Sequence, residues 1–101
     1  MDAKQALAAA ADLIEQKGWL QGSYGSDRIG YCILGAINAV TDSWSSDEGF
    51  ATDMAACELL DDILERAHGE GSGTVAIWND HPGRTKDEVL QLLRHAAGRG
   101  N

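Results

Sequence analysis

Apolar positions recur with a helical period in four stretches of this chain. From Asp2 to Lys17 the stripe Ala3, Leu7, Ala10 and Ile14, with Ala6 and Leu13 beside it, predicts an amphipathic helix that Gly18 ends. A left-handed Gly18 would set Trp19 against Ile14 in a Schellman contact, at the core or its edge. Ile29 to Val40 predicts a second helix, with Ile33, Ile37 and Val40 on one side. Its other side is small, with Cys32, Gly35, Ala36 and Ala39. Gly35 costs about 1 kcal/mol against Ala within a helix, so close approach of another backbone is the expected reason for it. A third helix is predicted from Thr52 to Ala67, burying Ala56, Leu60, Ile63, Leu64 and Ala67, with Phe50 stapling its start and Gly69 closing it. The last, Lys86 to Ala97, buries Val89, Leu92, Leu93 and Ala96.

The connections are read from turn chemistry. Gln21 to Asp27 is rich in turn formers without a period, which predicts a surface loop whose Tyr24 covers either the core or a ligand. Glu70 to Gly73 is a flexible link, and Gly98 to Asn101 should fray. Thr74 to Trp78 favours a strand by propensity. A lone strand has no partner here, so a short helix capped near Ser72 or Thr74 is the expectation.

The stretch Trp78-Asn79-Asp80-His81-Pro82-Gly83-Arg84-Thr85 holds the only proline. Pro82 and Gly83 predict a tight turn over His81 to Arg84, with positive φ at Gly83, which makes Gly83 more sensitive to Val than Gly25 is. Thr85 and Glu88 form a capping box for the last helix. Asn79 can lock an Asx-turn onto the His81 N–H. Asp80 cannot do the same, because Pro82 lacks an N–H, so it is either held by Gly83 and Arg84 or available to a ligand. The expected fold is an all-α compact bundle of four main helices, plus one short helix before the Pro-Gly turn, as a single domain over residues 1–101.

Composition narrows the classes. Of the 101 residues 44% are hydrophobic and 24% charged, an ordinary globular balance. The formal charge of −8 opposes binding to nucleic acid or anionic lipid and suits a basic or neutral partner. Cys32 and Cys57 lie far apart and form no CxxC, which predicts free buried thiols in a reducing, cytoplasmic setting. No signal peptide is read at the start, and the longest uncharged stretch, Ile29 to Thr41, is too short to span a bilayer. Glu58, Asp61, Asp62 and Glu65 share one helix face that could bind Mg²⁺, but no second helix offers matching carboxylates, so a solvated face is favoured. His68, His81 and His95 make no ligand spacing, and neither a metal, a cofactor nor a catalytic group is expected. Trp44 stands among serines and aspartates, and is either an interface anchor or a lid folded over the core.

Gly18-Trp19 with Gly22, Tyr31-Cys32 with Leu34-Gly35-Ala36, and Trp78-Asn79-Asp80 with Pro82-Gly83-Arg84-Thr85 and Glu88-Val89 together resemble a family of small proteins from actinobacteria and their phages. The resemblance covers nearly the whole chain. It implies an intracellular protein of bacterial or phage origin and supplies no catalytic residue. The leading expectation is therefore an interaction module, monomeric or homodimeric, that binds a protein partner through Trp44, Trp78, Asn79, Asp80, His81 and Arg84. The alternative is a small-molecule or nucleotide binder, or a hydrolase, with Asp80, His81 and Arg84 converging on a polar pocket. An acidic mimic of nucleic acid ranks last, because the acids read as broadly spread and balanced by eight bases.

Overall fold

The computed structural model describes residues 1–68 and 75–98. Its elements are α1 (Ala3–Lys17), β1 (Gly25–Ser26), β2 (Gly30–Tyr31), α2 (Ile33–Thr41), α3 (Asp47–His68), α4 (Val75–Asn79) and α5 (Lys86–Gly98). The fold is mostly helical, but one small antiparallel sheet is added to the expected bundle, with Gly25 opposite Tyr31 and Ser26 opposite Gly30.

The core is built around α1, which packs against α2, α3 and α5. Ala6, Leu7, Ala10, Ala11 and Ile14 are completely buried. The alanines let three neighbouring helices close on the α1 axis, and Leu7 and Ile14 share one buried cluster with Ile33, Ile37, Leu60 and Leu93. Asp2 starts α1 with a capping box: the Gln5 N–H donates to Asp2 Oδ1 at 2.8 Å, and the Asp2 N–H donates to Gln5 Oε1 at 2.9 Å.

Five sequence expectations are corrected. Gly18 has φ 103° and ψ 164°, outside the left-handed helical region, so no Schellman motif forms. The chain leaves α1 extended because its backbone finds other partners. The Tyr31 N–H donates to Gly18 O at 2.9 Å and the Leu20 N–H to Tyr31 O at 3.2 Å, which bridges Trp19 to Tyr31 in parallel. Trp19 still packs at the core edge.

The 21–27 loop contains β1, and the second helix begins at Ile33 instead of Ile29 because residues 30 and 31 are committed to β2. Cys32 is its N-cap, with Sγ accepting the Gly35 N–H at 3.3 Å. The small face of α2 does admit a backbone. A Cβ on Gly35 would lie 1.9 Å from Tyr24 O, so the hairpin arm rests directly on the helix.

α3 begins at Asp47, well before Thr52, because Ser46 caps it by accepting the Gly49 N–H at 2.9 Å and Asp47 and Glu48 suit the positive helix end. Phe50 is therefore inside the helix and 57% exposed, not a staple. α4 is a short helix and not a strand. Its Val75 N–H donates to Asp61 Oδ1 at 3.1 Å. Gly69, the Glu70 to Gly73 link, the Ser72 or Thr74 cap and residues 99–101 lie outside the described residues. No helix among the described residues is long and apolar enough to cross a membrane.

Candidate functional site

The 78–85 stretch folds locally as its turn chemistry dictates. The Arg84 N–H donates to His81 O at 3.0 Å across a turn in which Gly83 has φ 86°. Thr85 Oγ1 accepts the Glu88 N–H at 3.2 Å and Glu88 Oε1 accepts the Thr85 N–H at 2.9 Å. That bond, foremost, holds the Glu88 carboxyl below its ordinary range.

Asn79 does not make the expected Asx-turn, since the His81 N–H donates to Trp78 O instead. Its side chain points inward and is 1% exposed. Asn79 Oδ1 accepts from Trp19 Nε1 at 2.8 Å and from the Ile33 N–H at 3.1 Å, while Nδ2 donates to Leu20 O at 3.2 Å and to Asp80 Oδ1 at 2.9 Å. A side-chain amide offers two donors and two acceptor positions, and all four are used. One residue thus ties the end of α4 to the exit of α1 and the start of α2.

Asp80 is held, but not by Arg84 or Gly83. Its Oδ1 accepts the Gly22 N–H at 2.9 Å as well as Asn79 Nδ2. Arg84 lies 3.9 Å over the Trp78 ring, donates through Nε to Trp78 O at 2.9 Å and pairs with Glu88 at 3.3 Å. Trp78 packs against the core beneath it. His81 is exposed, its Nδ1 2.8 Å from Pro82 O, and Gln21 Nε2 donates to both Asn79 O and His81 O. Asp80 and Arg84 therefore do not converge on one pocket. Asp80 and Asn79 line a cavity of about 240 Å³ with Gly22, Ser23, Tyr24, Cys32, Leu34 and Ala76, and Arg84 is not among its walls.

Trp44 behaves differently. It is 74% exposed, in the connection between α2 and α3, so it is no lid over the core. Beside it runs a groove of about 520 Å³ lined by Tyr24, Gly25, Ser26, Tyr31, Gly35, Asn38 and Ala39. Tyr24, 61% exposed, stands between this groove and the smaller cavity.

The acids are not broadly spread. Residues 29–65 hold eight of the sixteen acids and none of the eight bases or three histidines, so the whole formal charge of −8 falls on Asp42 in the Trp44 connection and on α3 as far as Glu65. This signal was present in the chain and is lost when charge is counted only as a total. Four of those acids are engaged with described residues: Asp42 accepts from Ser45 Oγ, Asp53 accepts from Cys57 Sγ, Asp61 accepts the Val75 N–H at the start of α4 and Asp62 pairs with Arg66. Among the described residues no cluster of His, Cys, Asp and Glu could hold a metal ion.

Both cysteines are free thiols. Burial pushes the Cys57 thiol up to about 12, with the Asp53 carboxylate adding to it. Cys32 is also raised, first by burial and then by the charge of Asp80. Neither is an activated nucleophile.

A family model matches residues 1–99. The chain belongs to DUF6197, a family of unknown function. Searches of curated proteins and of solved structures find no match. Membership in DUF6197 accounts for nearly the whole chain and assigns no residue a role, so a functional reading rests on the geometry of the groove and the cavity.

Proposed function

We propose that the protein is an interaction module that docks a basic protein segment on the surface carried by Trp44. The observation that supports this reading is the coincidence of a 74% exposed tryptophan, an adjoining groove with two tyrosines, and the entire net charge on one stretch of chain. An exposed aromatic beside a groove supplies the anchor that dominates interface energies, and the acids around it raise the association rate of a basic partner. In this reading Trp78, Asn79 and Arg84, engaged with one another and with α1 and α2, serve the fold, and Asp80 and His81 lie outside the groove beside Trp44. The resemblance and the free thiols favour action in a bacterial cytoplasm, in a host or its phage, as a monomer or homodimer.

The reading is tested by affinity capture with the wild type and Trp44→Ala in parallel, followed by direct binding of the captured partner at low and high salt. Truncating the anchor should weaken binding by at least about 2 kcal/mol, and added salt should weaken the wild type further by screening the acidic stretch. A Trp44→Ala protein that binds as well as the wild type sinks the reading.

A further inference from the structure

The cavity beneath Ser23 and Tyr24 has an unusual inventory of polar groups. Two first-turn amides of α2, at Ile33 and Gly35, are already taken, by Asn79 Oδ1 and by Cys32 Sγ, and the Leu34 N–H is turned toward the Cys32 thiol as well. Asn79 has no hydrogen-bonding position left. Asp80 uses Oδ1 twice, and its Oδ2 accepts no hydrogen bond from the described residues. No Lys, Arg or His lines the cavity. Asp80 thus shares the cavity lining with the apolar Leu34 and Ala76 and with Tyr24, and no cationic residue stands among them. Its negative field reaches inward, since it helps to raise the Cys32 thiol.

The complement of such a cavity is a compact cation on a short apolar body. A carboxylate pairs with such a cation, and an aromatic side chain in the same lining adds to its attraction. We propose that the cavity binds a primary alkylammonium, either a free amine or the end of a lysine side chain, with its charge on Asp80 and its alkyl part against Leu34 and Ala76. This site is separate from the Trp44 groove and stands whether or not that groove binds a protein.

The test is a two-dimensional NMR titration of the nitrogen-labelled full chain with n-butylammonium chloride, using sodium butyrate and 1-butanol as charge controls at matched ionic strength. Saturable shifts of the Gly22, Ser23, Leu34 and Ala76 amides with the ammonium only are expected. Asp80→Asn should weaken binding about tenfold or more, as loss of a charge-assisted bond does. Asp80→Asn also touches the Gly22 contact, so Ala76→Leu provides an independent variant that fills the cavity on a helix that tolerates leucine. It should abolish the shifts while the rest of the spectrum is kept. A parallel titration with Nα-acetyl-lysine N-methylamide separates the sources: a response to it as strong as to butylammonium assigns the site to a lysine side chain, and a response to butylammonium alone assigns it to a free amine. Equal responses to butyrate or butanol, shifts confined to α3, or binding unchanged in both variants would overturn the proposal.

Discussion

Two tryptophan-bearing segments of this chain look alike as sequence and differ completely as structure. Both Trp78-Asn79-Asp80 and Asp42-Ser43-Trp44-Ser45 set an indole among small polar residues. In the first, Asn79 spends all its hydrogen-bonding capacity on partners 46 to 60 residues away or next to it, and Arg84 covers the Trp78 ring. In the second the polar groups bond only locally, Ser45 Oγ donating to Asp42 Oδ1 at 2.9 Å and Ser43 Oγ to Asn38 Oδ1 at 3.3 Å, while the indole is left in solvent. A polar motif can be consumed by the fold. What remains for a partner is the large side chain whose neighbours secure the backbone and not the ring.

The contrast is broken most severely at Asn79. Asn79→Ala leaves Trp19 Nε1, the Ile33 N–H and Leu20 O without partners in a nearly water-free site, each costing about 1–3 kcal/mol when unsatisfied. The expected loss exceeds about 3 kcal/mol, measured by urea unfolding, and is large for one residue. A loss below about 1 kcal/mol would mean that water replaces the network. Asp80→Asn should cost much less, since Asp80 is exposed and the variant retains an oxygen for the Gly22 N–H.

The glycines come next, with their expected ranking reversed. Gly83 has φ 86° but nothing within 4 Å of an added Cβ, whereas Gly25 has φ 92° and Gly30 O only 1.9 Å from that position. Gly83→Val therefore meets backbone strain alone, and Gly25→Val meets strain plus a clash with the paired strand. Overpacking adds about 1–3 kcal/mol, so Gly25→Val should melt lower than Gly83→Val. Equal melting temperatures would show that the hairpin moves aside at little cost.

The helices were legible because their signal is local. A stripe such as Leu7, Ala10 and Ile14 needs only the period of the helix to be read, and the Thr85 to Glu88 box needs only a spacing of three residues. The hairpin was not legible, since two residues per strand carry no alternation, and Tyr31 is also bonded by Gly18 and Leu20 from a segment that no local pattern links to it. The same limit explains Asn79 and Asp80. A local rule identified their turn, and no local rule could name Trp19, Ile33 or Gly22 as partners. Trp44 was legible as a question only: the sequence left open anchor or lid, and its exposure excludes the lid.

A smaller effect sits at the start of α5. Thr85→Ala removes the cap and should cost about 1 kcal/mol near neutral pH. Glu88, its reciprocal partner, has its carboxyl held below 4.5, first by the Thr85 N–H. A depressed folded value means that the stabilisation is present above the unfolded carboxyl range and lost as pH falls through the folded value. The gap between the wild type and Glu88→Gln in thermal unfolding should thus narrow below about pH 4.5 and stay constant above it. A gap that widens in acid would reverse the sign and remove the box.

The smallest expected change in stability belongs to Trp44, and it sharpens the comparison most. Its ring is three-quarters exposed, and the bonds that fix its segment come from Ser43, Ser45 and Asp42, not from the indole. Trp44→Ala should therefore shift unfolding by no more than about 0.5 kcal/mol, the range of surface substitutions away from core, cap and network. Trp78→Ala, which uncovers the core and strips Arg84 of its ring, should by contrast cost about 3–5 kcal/mol if that indole packs as a buried aromatic does, and less in proportion to its partial burial. The two variants measured side by side by urea unfolding, with binding of a captured basic partner as the second readout, set structure against recognition. Trp44→Ala should lose the partner and keep the fold. If it instead unfolds as readily as Trp78→Ala, both indoles are structural and the exposed groove beside Tyr24 has no anchor.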